Sequence, residues 1–159
     1  MTVTITFAAT LGAALGSGIV AGIFFAFSTF MMTALGRLPP EQGMAAMRSI
    51  NVVIINPWFF SVFFGTAVLA LVLAMLAMFN WDDPGPRFVM AGAVLYLICA
   101  IVVTIAVNVP MNDALAAVDP ASAAGAELWN RYLSAWTAWN HVRTAGSLAA
   151  AAAFILALR

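Results

Sequence analysis

Four long apolar runs dominate the chain, at about residues 3–32, 58–79, 88–107 and 136–158. A helix needs roughly 20 apolar residues to span a hydrocarbon core of about 30 Å, and each run meets that length. Backbone amides find no water to bond in lipid, so each run is expected as one continuous helix. Charged residues collect between the runs, at 37–48, 82–87 and 113–131. The pattern predicts an all-α protein, a single transmembrane domain over residues 1–159. Its expected architecture is a four-helix transmembrane bundle, with a short amphipathic helix after span one and a long fourth helix projecting from the membrane.

The connections refine this picture. Asn80-Trp-Asp-Asp-Pro-Gly-Pro-Arg87 reads as a tight turn, rich in residues that break helices. Pro39-Pro40-Glu41 opens the amphipathic helix, which continues over residues 42–54 with proline near its first position. Asp119-Pro120 reads as a helix start, Asp as the N-cap and Pro at the first helical position. A helix running from there to Leu158 is roughly 57 Å long at 1.5 Å per residue, so its first turns should project into water. The first run has no basic segment before it and exceeds the apolar core of a typical signal peptide, so it reads as a retained span. Its small residues recur every four positions, Gly12 and Gly16 on one stripe, Ala14, Gly18, Gly22 and Ala26 on another. Such spacing lets helices approach closely in lipid. Packing within the bundle is the plain use of these stripes, and homo-oligomerisation through Gly18 and Gly22 is the other.

Composition removes whole classes of function. With 65% hydrophobic and 8% charged residues, the chain has far less charge than the roughly 25% of an average soluble protein. Six arginines, no lysine and six acidic residues leave no footprint for nucleic acid. Arg37, Arg48 and Arg131 flank the loops after spans one and three, against Arg87 and Arg159 on the other side, which favours cytoplasmic placement of the former by a small margin. Cys99, alone in an apolar run, reads as a small hydrophobe at a helix interface. One histidine and one cysteine fall short of the ligand sets that zinc, copper or haem require, and the carboxylates sit in loops, away from any di-iron arrangement.

The remaining polar residues gather at one end. Asn51, Asn56 and Pro57 precede the second span, Asn108-Val-Pro-Met-Asn-Asp113 closes the third, and Trp136 to Thr144 opens the fourth. At 100° per residue Tyr132, Trp136, Trp139, Asn140, Arg143 and Ser147 share an arc of about 100°, which should face the bundle interior. His141 lies roughly 100° around from Asn140, toward a different neighbour. Structural roles compete for each residue: Trp136 and Trp139 as an interfacial belt, Asn108 and Asn112 as caps where Pro110 breaks the third helix, His141 as a hydrogen-bonding residue. For Arg143, a permanent charge about five turns from the end of the last span, the alternatives are an ion pair with a residue such as Asp113 or an oxygen on a ligand.

Phe24-Phe25-Ala26-Phe27-Ser28, Asn56-Pro57, Asn108-Val-Pro-Met-Asn112 and Trp139-Asn140-His-Val-Arg143-Thr144 together resemble the anthrone oxygenase family, along nearly the whole chain. The resemblance implies a multi-pass protein of a bacterial inner membrane and a cofactor-free monooxygenase, an oxidoreductase that converts an anthrone-like polycyclic aromatic to a quinone with O₂. Its partners would be a small hydrophobic aromatic substrate, O₂ and membrane lipid. Such chemistry needs a base, a group that stabilises the oxyanion, and a dry apolar slot. On this chain the resemblance implies Arg143, helped by Asn140, at the enolate oxygen. Asn108, Asn112, Asn56 and Tyr132 would bind and orient the substrate, and Trp136 and Trp139 would stack on its rings. His141 has a suitable ordinary pKa for the base, but its angular position argues against it. The competing reading is a non-enzymatic protein that binds a lipid or quinone-like molecule or scaffolds a partner. An enzyme should keep an aromatic-lined cavity that reaches Arg143, and a scaffold should have Arg143 fully paired and no cavity there.

Overall fold

A computed structural model describes residues 2–79, 81 and 83–159. Among them the protein is all-α, with five helices. Helix α1 begins as Thr2–Ala26, passes through a π-helical turn at Phe27–Met31 and ends at Met32–Gly36. Helices α2 (Pro40–Val53), α3 (Pro57–Ala77), α4 (Pro84–Ala117) and α5 (Ala123–Ala157) follow. Three of them, α1, α3 and α4, are long and apolar enough to cross a membrane. The polar first half of α5 sets it apart from these three. The turn expected before α4 includes Asn80 and Asp82, which lie outside the described residues; Arg87 Nε donates to the Trp81 carbonyl across it at 3.2 Å.

Helices α1 and α4 each pack on both α3 and α5. Close approach is set by residue size at two crossings. A Cβ added at Gly16 would lie 1.9 Å from Thr66 Oγ1, and one at Gly146 would lie 2.1 Å from Cys99 Cβ. Gly16 thus seats α3 on α1, and Gly146 seats α4 on α5, with Cys99 serving as a small packing residue. Gly18 and Gly22 face outward with no atom near them. One core cluster, built of Phe24, Phe63, Tyr96, Phe154 and many alanines, fills the apolar half. A second, of Phe27, Met32, Met44, Met47, Leu115, Trp129, Tyr132 and Trp136, fills the polar end. Helix α2 covers that end, packing on α1, α4 and α5. Arg48 of α2 ties it down, its guanidinium donating to the Leu115 and Val118 carbonyls at the end of α4, where a cation also suits the helix dipole.

Two expectations change. Pro110 does not end the third helix, which continues to Ala117. Proline has no N–H for the carbonyl four residues back and its ring crowds that carbonyl. The preceding backbone widens instead, with π-helical turns at Tyr96–Val102 and Thr104–Asn108, where Val109 N bonds the Thr104 carbonyl. Such widening relieves the clash without a break. The last helix starts at Ala123, capped by Ser122, whose Oγ accepts from Gly125 N at 3.0 Å, rather than at Asp119-Pro120. Asp119 forms the turn before it, its carboxylate accepting from Ala121 N. At 35 residues α5 is about 52 Å long.

Candidate functional site

Between the two core clusters lies a cavity of about 470 Å³, within the range of small-molecule sites. All five helices contribute to its wall. Phe24 and Phe27 of α1 and Phe59, Phe60, Phe63 and Phe64 of α3 make it aromatic, and Trp136 closes the α5 side. Its polar groups are few: Arg48 and Asn51 from α2, Thr104, Asn112 and Asp113 from α4, and Arg143 from α5.

Arg143 is the centre of the arrangement. It is 4% exposed, and among the described residues it forms no ion pair. Asp113, the expected acidic partner, stands exposed on α4. Nη1 donates to Thr104 Oγ1 at 3.2 Å and Nη2 to Asn140 Oδ1 at 2.7 Å, while Nε has no acceptor. The guanidinium carbon lies 4.3 Å from the centroid of the Phe24 ring and 4.7 Å from that of Trp136. Two π faces offset part of the cost of burying the charge, but no carboxylate among the described residues pairs with it. A buried cation held this way attracts an oxygen that carries, or develops, negative charge.

Asn140 holds Arg143 rather than lining the cavity. Fully buried, it donates from Nδ2 to the Phe24 carbonyl and to Ser28 Oγ, both at 2.7 Å. The Thr144 hydroxyl donates back to the Asn140 carbonyl at 2.8 Å, so the 3.0 Å bond between Ser28 and Thr144 runs from Ser28 to Thr144. A closed loop of bonds therefore pins α5 to α1 at the π-turn of α1. A side chain bonded into a helix ladder is a recognised cause of such a turn. The amide orientation gives Arg143 its acceptor.

Asn112 lines the cavity and joins α4 to α5. Its Oδ1 accepts from Tyr132 OH at 2.7 Å and from Trp136 Nε1 at 2.9 Å. Tyr132 is buried behind Trp136, stacked between it and Trp129, and burial holds its phenol above the usual tyrosine range against the opposing influence of the Asn51 side chain and the nearby Arg143 charge. Asn108 is also buried, off the cavity wall, donating to the Trp136 carbonyl at 3.4 Å with Oδ1 unpaired. Asn56 is the N-cap of α3: its Oδ1 accepts from Phe59 N at 3.0 Å. Trp139 and His141 are exposed and do not line the cavity. Of the residues given a catalytic or substrate-binding role from the sequence, the fold thus brings Arg143, Asn112 and Trp136 to the cavity, places Asn140, Tyr132 and Asn108 behind them, and sends Asn56, Trp139 and His141 elsewhere. Thr104, Asn51, Asp113 and the six phenylalanines had no site role in the sequence reading. Phenylalanine inside an apolar run carries no signal of its own, although Phe24 and Phe27 belong to a motif noted above. No three His, Cys, Asp or Glu side chains converge among the described residues.

The family profile described as anthrone oxygenase matches residues 58–153, more than half of the chain. The chain belongs to the anthrone oxygenase family. The matched segment contains Thr104, Asn112, Asp113, Trp136, Asn140 and Arg143, and so most of the polar side of the cavity. Family membership points to an oxygenase-type function. Neither a curated protein nor a solved structure matches the chain.

Proposed function

We propose that this member of the anthrone oxygenase family is a four-span, cofactor-free oxygenase that oxidises an anthrone-like or related activated polycyclic substrate in its aromatic cavity. The apolar second half of α5 is the fourth crossing, with Arg143 turned inward. The observation that carries this reading is the uncompensated Arg143 guanidinium on the wall of an aromatic-lined cavity. A scaffold has no use for either feature.

In the proposed reaction the substrate carbonyl faces Arg143 and its rings lie among Phe24, Phe27, Phe63 and Trp136. The methylene para to that carbonyl loses a proton, and the electron pair moves onto the oxygen, where the guanidinium stabilises it. Asp113, a carboxylate on the cavity wall, is the candidate acceptor of that proton. The electron-rich enolate passes one electron to O₂. The resulting radical and superoxide join to form a carbon–oxygen bond, and the peroxide anion takes the proton back from Asp113 to become a hydroperoxide. Loss of water from the hydroperoxide, with cleavage of the O–O bond and removal of the second methylene hydrogen, leaves the quinone carbonyl. One oxygen atom enters the product and the other leaves as water.

Turnover of a simple anthrone under ¹⁸O₂ tests this balance. The reading expects one labelled oxygen in the quinone formed above the autoxidation blank. Quinone oxygen drawn from water instead would overturn it.

A further inference from the structure

Helices α3 and α4 do not stay together along their length. Helix α3 packs on α4 over Pro84–Leu95 and Tyr96–Val102, and the two part beyond that point. Over Thr104–Asn108 helix α4 packs instead on α5, and over Val109–Ala117 on α5 and α2. The parting coincides with the π-helical turns ahead of Pro110, which re-aim this half of the helix.

The cavity reaches the surface through this gap. Phe60 and Phe64 of α3 stand on one side, 40% and 43% exposed; Ile105 and Val109 of α4 stand on the other, 58% and 40% exposed. All four also line the cavity. Phe64 lies about 10 Å along α3 from Pro57, and Ile105 falls within the third apolar run, so the rim stands at hydrocarbon depth. At this depth the rim is apolar, and toward α2 the exposed lining continues with Val52, Ile55, Asp113 and Ala116, while Thr104 and Arg143 stand on the cavity wall. Arg48 lines the α2 end of the cavity, away from the apolar core.

We propose that the cavity opens sideways into the bilayer between α3 and α4, and that apolar polycyclic ligands reach Arg143 through this gap from among the acyl chains. Such ligands concentrate in lipid rather than water, and this route spares them a transit through the aqueous phase. The nature of the cargo rests on the proposed oxygenase function; the opening itself does not.

The test needs no substrate. In a Cys99→Ala background, a single cysteine replacing Thr104 carries an environment-sensitive fluorophore, and the protein is placed in phosphatidylcholine vesicles. Nitroxides on the lipid acyl chains should quench the label strongly, and aqueous iodide should quench it little. Filling the gap with Ile105→Trp and Val109→Trp together should lower acyl-chain quenching at least threefold. Ile23→Cys, on the α1 wall of the cavity, serves as a second reporter should the first substitution disturb folding. Quenching by iodide without quenching by acyl chains, or quenching indifferent to the two tryptophans, would overturn the proposal. Absence of anthrone oxidation with acyl-chain access intact would count against the enzyme reading alone, and oxidation with access from water only would count against the opening alone.

Discussion

Replacing Asn140 by aspartate sets a carboxylate where an amide oxygen now accepts from Arg143 at 2.7 Å. The change neutralises the buried Arg143 cation without removing it. At an effective dielectric of about 20, an anionic oxygen ~4 Å from the guanidinium is attracted by roughly 4 kcal/mol. A carboxylate on the other side of the guanidinium, ~6.5 Å from that oxygen, repels it by roughly 2.6 kcal/mol at the same dielectric. Stabilisation of a developing oxyanion should therefore fall on the order of 50- to 100-fold. Folding responds differently. Aspartate loses the two donations to the Phe24 carbonyl and Ser28 Oγ, each worth about 0.5–1.5 kcal/mol, but retains an acceptor for Arg143. Alanine at 140 loses all three bonds and leaves Nη2 of a buried charge unpaired, so it should be the less stable variant. The two orders are thus opposed: activity should run wild type, Asn140→Ala, Asn140→Asp, and stability wild type, Asn140→Asp, Asn140→Ala. Anthrone oxidation in lipid nanodiscs gives the first order, and unfolding in mixed micelles with increasing SDS gives the second. An Asn140→Asp protein within threefold of the wild-type rate would refute the electrostatic argument.

Two further predictions concern the supports of the site. Gly16→Ala should cost about 1–3 kcal/mol by overpacking against Thr66, and Thr66→Ala in the same chain should recover much of that loss, as read by the SDS midpoint. Tyr132→Phe removes the bond to Asn112 and should cost about 0.5–1.5 kcal/mol near neutral pH. Because burial holds the Tyr132 phenol above its ordinary value of 10.0, its neutral form favours the fold in full below pH 10. Above pH 10 the unfolded phenol ionises first, so wild type should lose stability relative to Tyr132→Phe as pH rises; a difference that stays flat to pH 11 would contradict this.

Spans and helix ends were legible where hydrophobicity decides them. The apolar runs at 3–32, 58–79 and 88–107 fall within α1, α3 and α4, give or take the end residues, and Pro40 begins α2 as its position implies. The passage of α4 through Pro110 was not legible, because a proline's clash can be absorbed by a wider turn upstream, a backbone choice that the residue types do not reveal. The start of α5 was ambiguous because two capping residues, Asp119 and Ser122, lie within one turn, and Pro120 suits the first position of a helix begun at Asp119. In the site, helical periodicity placed Tyr132, Trp136, Asn140 and Arg143 on one buried face, and the same geometry set His141 apart. Trp139 sits at the edge of that arc, and the packing of α1 and α4 leaves it outside. What periodicity of one helix could not show is which residues of other helices meet it. Thr104 against Arg143, and the Asn140 bonds to Phe24 and Ser28, depend on the register between helices far apart in sequence. The division of the asparagines between cavity wall, helix cap and buried support follows from the same register.

The central claim is that Arg143, a buried cation with no ion pair among the described residues, drives oxidation of an activated polycycle in the cavity. The most direct measurement is O₂ consumption and quinone formation by the purified, metal-stripped protein with a simple anthrone, beside Arg143→Ala and a buffer blank that corrects for autoxidation. The account predicts metal-independent turnover above the blank, with O₂ consumed and quinone formed in equal amounts, and its loss in Arg143→Ala. A wild-type rate equal to the blank from about pH 6 to 9, or an Arg143→Ala protein as fast as wild type, would contradict it.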